Sequence, residues 1–226
     1  MMRTLLVTAL LLSLALAGCS QSEPNPSGGI AGTSGAILLT APANPPMGTT
    51  WNHETSGAVT ASSSSTLEAE ETRNGHDALR FQSTIESSGT TTSNVAWNRA
   101  TDRAVIEAVT TTSAPSVGTI ETTTSYDPPC VRLQYPVRAG DNYEVTCSGR
   151  VSSSYGSQDI TTTTQVDVLG VETITVQAGT FETVHVVFSH DGAQTHEYFD
   201  VNGCGSVLST TDQGGEVRVE LVSTTC

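Results

Sequence analysis

The feature that most constrains this chain is an apolar–polar alternation with period two, recurring between turn signals from about residue 35 onward. In Glu216-Val217-Arg218-Val219-Glu220-Leu221 the residues Val217, Val219 and Leu221 fall on one face, and in Thr173-Ile174-Thr175-Val176-Gln177 so do Ile174 and Val176. Thr, Val and Ile suit a pleated, half-buried surface and are mediocre in helices. Asn74-Gly75 and Asp191-Gly192 are two-residue hairpin signals, and Ala178-Gly179, Gln213–Gly215 and Gly140-Asp141 are further turns. Strands at such spacing predict an all-β domain: an antiparallel curved sheet, half-open barrel or sandwich. Ser65-x-x-Glu68 also fits a helix capping box, but only Leu67 and Ala69 are available for an apolar stripe, so a strand is expected there.

A faint repeat runs through the same region. Gly48, Trp51, Ser56 and Gly57 recur as Gly140, Tyr143, Ser148 and Gly149, suggesting two similar β halves, 35–125 and 126–226, over one core.

The N-terminus has a different character. Arg3 precedes an apolar run from Leu5 to Leu16, too short for the roughly twenty residues a membrane-crossing helix needs. Leu16-Ala17-Gly18-Cys19 closes it and resembles the bacterial lipobox. The resemblance implies a signal peptide over 1–18, removed on export, and lipidation of Cys19. Residues 19–34 then carry the lipidated cysteine and a Ser/Pro/Gly-rich flexible linker, leaving 35–226 as the extracytoplasmic domain. Each buried CH₂ contributes about 0.8 kcal/mol, so two or three acyl chains on one cysteine hold the protein at the membrane. Ser20 stands where lipoproteins kept at an inner membrane typically carry Asp, so the expected location is the cell envelope, at the outer membrane where there are two.

The formal charge of −14, with Arg as the only basic side chain besides His, argues against nucleic acid as a partner. Charged residues make up only 14% of the chain, so 36 Thr and 26 Ser are expected to finish the surface. Setting Cys19 aside, Cys130, Cys147, Cys204 and Cys226 suit two disulfides in an oxidising compartment. Sequence-local pairs are favoured. A Gly214-Gly215 loop places Cys204 opposite Thr225, beside Cys226, whereas Cys130 and Cys147 alternate out of phase with each other, with Pro136 between them to break the register.

Residues 168–208 carry Val176-Gln177-Ala178-Gly179-Thr180-Phe181, then Tyr198-Phe199 and Gly203-Cys204-Gly205-Ser206-Val207. This segment is similar to a domain of exported bacterial proteins with a V-P-A-G-T-F-like turn. It differs in having Gln177, Phe199 and Asn202 in place of proline, tryptophan and proline. The resemblance implies a curved or barrel-like antiparallel fold and no settled activity.

Chemistry is thinly signalled. An Asp191-Gly192 loop pairs His190 with Ala193, Val187 with His196 and His185 with Tyr198. His185 and His196 then share one face, with His190 and Glu197 on the other. Two imidazoles so placed are weak metal candidates needing a carboxylate, and otherwise read as polar groups on a solvent face. No H-E-x-x-H, G-x-S-x-G or phosphate-cradling glycine loop occurs, and Glu70-Glu71 point to opposite faces. With two Trp, five Tyr and four Phe, too few aromatics remain for the girdles of a membrane-embedded barrel. The expectation is a membrane-tethered, non-catalytic domain, with no cofactor, that binds an apolar small molecule or lipid. A structural module contacting another envelope protein, and a metal-dependent hydrolase, are the alternatives.

Overall fold

The computed structural model describes residues 35–115, 118–212 and 215–226. The expected signal peptide, Cys19 and the linker lie outside the described residues, as do Gln213 and Gly214 of one expected turn. The described chain is all β. In order the strands are β1 (Ile37–Leu39), β2 (Thr50–Gly57), β3 (Ala61–Arg73), β4 (His76–Ser87), β5 (Thr90–Arg99), β6 (Val105–Ala114) and β7 (Gly118–Cys130). They continue with β8 (Val137–Arg138), β9 (Asn142–Ser153), β10 (Gly156–Val176), β11 (Gly179–His190), β12 (Ala193–Asp200), β13 (Ser206–Thr211) and β14 (Val217–Thr224).

Turn chemistry sets the local register. Asn74 and Gly75 have φ of 49° and 80°, and Asp191 and Gly192 have 48° and 79°, the positive pair a two-residue type I′ loop requires. They bring Arg73 opposite His76, and His190 opposite Ala193. Ser65 and Glu68 lie within β3, so the capping-box pattern there is not a helix.

Antiparallel neighbours close into a twelve-stranded barrel, with only β1 and β8 forming a separate small sheet. Around the barrel run two consecutive meanders, β2–β7 and β9–β14, joined by the pairs β7–β9 and β14–β2. Both meanders start alike. Gly48 N–H donates to Leu67 O (2.8 Å) and Leu67 N–H to Thr49 O (3.0 Å). Gly140 N–H donates to Val168 O (2.9 Å) and Val168 N–H to Asp141 O (2.8 Å). Gly57 then faces Val217 across one seam and Gly149 faces Tyr126 across the other. The division suggested between 125 and 126 falls inside β7, which continues to Cys130, so the meanders share one sheet.

Two registers differ from expectation. Leu208 pairs with Glu220 and Thr211 with Val217, one residue off the register of a Gly214-Gly215 loop. The offset places Cys204 across from Thr224, and Cys204 is disulfide-linked to Cys226 with a Cα separation of 5.7 Å. In the second case Val176 pairs with Gly179, so the loop residues are Gln177 and Ala178. That tip folds back onto β14, where Ala178 N–H donates to Leu221 O (3.2 Å) and Gln177 N–H to Glu220 Oε1 (3.0 Å).

The interior is filled unevenly. On the side of β9, β10 and β11, inward Val145, Val166, Val168, Val184, Val186 and Phe188 pack as one cluster. Cys130 and Cys147, expected as the second disulfide, are unbonded cysteines fully buried in it, their sulfurs 2.7 Å apart. The phase conflict between these cysteines is resolved at the end of β7. There the register jumps from Ser125 opposite Glu107 to Cys130 opposite Val105, turning Cys130 inward. Burial pushes the Cys147 thiol pKa well above its ordinary range.

Candidate binding site: the barrel lumen

Closing twelve strands encloses more space than eight, and an eight-stranded barrel is just filled by its own side chains. Whether room remains depends on the size of the inward residues. On the side of β2–β5 and β12–β14 they are small: Thr55, Ser63, Ser65, Ser83, Ser209 and Thr211 face a cavity of about 480 Å³, with Ile85, Val217 and Val219 among them. Nine of the Ser and Thr residues therefore line the lumen, while others finish the surface as expected. The volume lies within the usual range for small-molecule pockets, roughly 300–1,000 Å³.

A second chamber of about 250 Å³ lies where β5–β6 and β12–β13 are connected. Its wall is aromatic and aliphatic, with Trp51, Phe81, Phe188, Phe199, Val105 and Leu133, and Pro42, Ala43 and Pro45 close one side. Trp51 is fixed by Nε1–H donating to Cys204 O (2.6 Å). Arg132 and Phe199 line both chambers, so the two meet at Arg132.

Buried polar groups need partners in such a lumen. Arg132 Nη2 donates to Glu197 Oε1 (2.6 Å), and its guanidinium carbon lies 4.7 Å from the Phe188 ring centre. Glu197 thus points inward, on the face opposite His196. Asn94 accepts from Thr110 Oγ1 (3.0 Å). His53, lining the larger cavity, has its pKa lowered by burial, opposed by a contact with Ser206 O (3.4 Å).

His185 and His196 meet on the outer face. His185 Nδ1 is 2.8 Å from Glu172 Oε1, its Nε2 is 2.9 Å from His196 Nδ1, and its ring stacks on Tyr198 at 4.2 Å. Expected on a solvent face, His185 is instead buried, 6% exposed, beneath these neighbours. His190 is separate and contacts Thr163 O (2.7 Å). Both ring nitrogens of His185 are engaged, one by a carboxylate and one by the second imidazole. Among the described residues no group of three His, Cys, Asp or Glu is arranged to hold a metal.

Outside the lumen, β9 and β10 present Thr146–Thr163, Ser148–Thr161 and Arg150–Asp159 as exposed cross-strand pairs. A lipid-facing barrel surface carries an apolar band instead. The molecule is thus a closed antiparallel barrel with an internal cavity and, where residues 146–150 pair with 159–163, a polar exterior, while Leu169 and Val171 of β10 are exposed further along.

No protein-family model matches the chain, and no curated protein matches it. Two solved structures are similar to it. One is a Bacteroides fragilis protein inferred to be exported and described as having a YmcC-like fold. It is 13% identical, with a TM-score of 0.49 over 82% of this chain and 100% of that one. The other is a Parabacteroides distasonis protein inferred to be a lipoprotein, 11% identical, with a TM-score of 0.37 over 85% of this chain and 100% of that one.

Proposed function

We propose that this chain is a lipid-anchored protein of the bacterial envelope whose barrel lumen takes up an apolar small molecule or the acyl part of a lipid, without catalysing a reaction on it. The observation that carries the reading is the cavity of about 480 Å³ left by small inward residues across the lumen from a fully packed valine cluster. Support for the anchor comes from Leu16-Ala17-Gly18-Cys19 and the linker after it, and Ser20 favours the outer membrane where there are two. The membrane is then the partner through the anchor, and the lumen ligand is the partner of the barrel. Ser and Thr suit the ligand wall because their carbon atoms supply contact area while their hydroxyls can bond to the backbone locally.

Native mass spectrometry of the chain carrying Cys19→Ser tests the reading. A co-purifying small molecule, or uptake of a fluorescent fatty acid that Ser83→Trp blocks by filling the cavity, is the expected result. A clean apo mass with no probe uptake overturns it.

A further inference from the structure

Arg73, Arg80, Arg99, Arg132, Arg150 and Arg218 each have a carboxylate partner. Arg138, whose Nη1 donates to Gly35 O (3.4 Å), has no carboxylate partner among the described residues, and neither does Arg103. Arg103 sits in the turn between β5 and β6, with φ of 62°, a region non-glycine residues seldom occupy. Its Nε and Nη2 donate to Ala43 O, Nε at 3.1 Å, and its Nη1 is out of solvent with no hydrogen-bond partner. The nearby Asp102 carboxylate is taken by Arg99 Nε and Nη2 and by Ala104 N–H. Glu70 and the Tyr135 hydroxyl act on Arg103 electrostatically without forming an ion pair, and burial holds its pKa below the ordinary value.

Arg103 lines the aromatic chamber, as does Asn98, whose Oδ1 is also buried and unpartnered. A desolvated guanidinium lacking a counter-charge is costly, and a bound anion relieves that cost. Guanidinium is also the side chain best matched to carboxylate or phosphate oxygens. In a chain of formal charge −14, Arg103 is a positive group without an ion-pair partner beside a mostly apolar chamber, whose other charged lining groups, Asp102 and Arg132, are paired with Arg99 and Glu197.

We infer that the aromatic chamber is the headgroup end of the lumen and takes an anionic amphiphile, its carboxylate or phosphate on Arg103 and its apolar chain running past Arg132 into the larger cavity. The inference rests on the lumen reading above and adds the ligand's charge and direction. The headgroup takes the unpartnered Nη1, while Nε and Nη2 hold the Pro42–Pro45 segment over this end through the Ala43 carbonyl.

Calorimetry on the Cys19→Ser chain at pH 8 with laurate, dodecanol and inorganic phosphate tests it. Laurate is expected to bind at least tenfold more tightly than dodecanol. Arg103→Gln should remove that preference without weakening dodecanol, and Arg103→Lys should keep part of it. Equal affinity for laurate and dodecanol in the unsubstituted lumen overturns the anion site while leaving the lumen reading standing, and needs no folded variant. A preference for laurate that survives Arg103→Gln overturns the role of Arg103, and phosphate binding as tightly as laurate overturns the amphiphile. If neither chain-bearing probe binds, the lumen reading itself falls.

Discussion

Replacing Gly149 with alanine probes the seam that closes the barrel. Gly149 lies opposite Tyr126 where β9 meets β7. A Cβ built there would be 2.5 Å from Ser125 O and 2.7 Å from Tyr126 Cδ1, against an ordinary contact of 3.4 Å or more. The glycine does not have a left-handed φ, so alanine meets no backbone strain and would by itself favour the strand by roughly 0.5–1 kcal/mol. Overpacking of this kind costs about 1–3 kcal/mol. The nearest obstacle is a backbone oxygen, which no rotamer change removes, so the seam must part by several tenths of an ångström. A net loss of about 1–2 kcal/mol is expected, or roughly 2–8 °C in Tm for a domain of this size. Urea unfolding followed by circular dichroism should show a lower midpoint at unchanged slope. Gly89→Ala is the control: its Cβ meets nothing within 4 Å, and only its φ of 77° is penalised. A Gly149→Ala protein as stable as the parent, or more stable, refutes the close approach on which this reasoning depends.

Three further outcomes are expected. The oxidised Cys19→Ser protein, unfolded without reductant, should show no free thiol, because Cys130 and Cys147 are already in sulfur contact; closing that loop adds about 3 kcal/mol of stability, and two titrating thiols would show the pair stays reduced. Glu197→Gln takes one carboxylate away from Arg132 and should cost about 2–3 kcal/mol, less than a fully buried pair because the Arg132 side chain is 25% exposed; Glu197→Gln with Arg132→Met should recover most of it, measured by the same denaturation. Because burial lowers the pKa of His53 below its unfolded value of about 6.5, the unfolded chain takes up that proton first. Its contribution is therefore intact at pH 7–8 and lost as pH falls below about 6.5 toward the folded pKa. His53→Asn should flatten that slope, and an unchanged pH profile would show that His53 is protonated equally in both states.

The strands and several turns are legible in the sequence because each depends on neighbours. Val217 and Leu221 are buried and Val219 lines the cavity, as their alternation implies, and Asp191-Gly192 alone sets the pairing of His185 with Tyr198. Closure is not legible, because β7 with β9 and β14 with β2 join segments whose pairing no local pattern specifies. The cavity is hidden for a different reason. Ser62, Ser63, Ser64 and Ser65 are chemically identical, yet Ser63 and Ser65 line the lumen and Ser62 and Ser64 do not. With hydroxyls on both faces of a strand, composition cannot separate inside from outside. The burial of His185 likewise depends on Glu172, Tyr198 and His196, which approach from two other strands.

The two ends of the barrel's chain lie side by side, with Thr225 N–H donating to Thr50 O (3.1 Å) and Thr50 N–H to Thr225 Oγ1 (3.0 Å). In a closed sheet the first barrel strand is no margin: β2 is laced to β14 on one side and β3 on the other. A pull directed along β2 from the N-terminal side therefore loads both ladders in shear, where many bonds must fail together. The contacts ahead of β2 yield in chain order, the β1–β8 pair first and then Arg103 to Ala43 and Gly48 to Leu67. Tension would thus lift the segment over the aromatic chamber well before it unravelled the barrel.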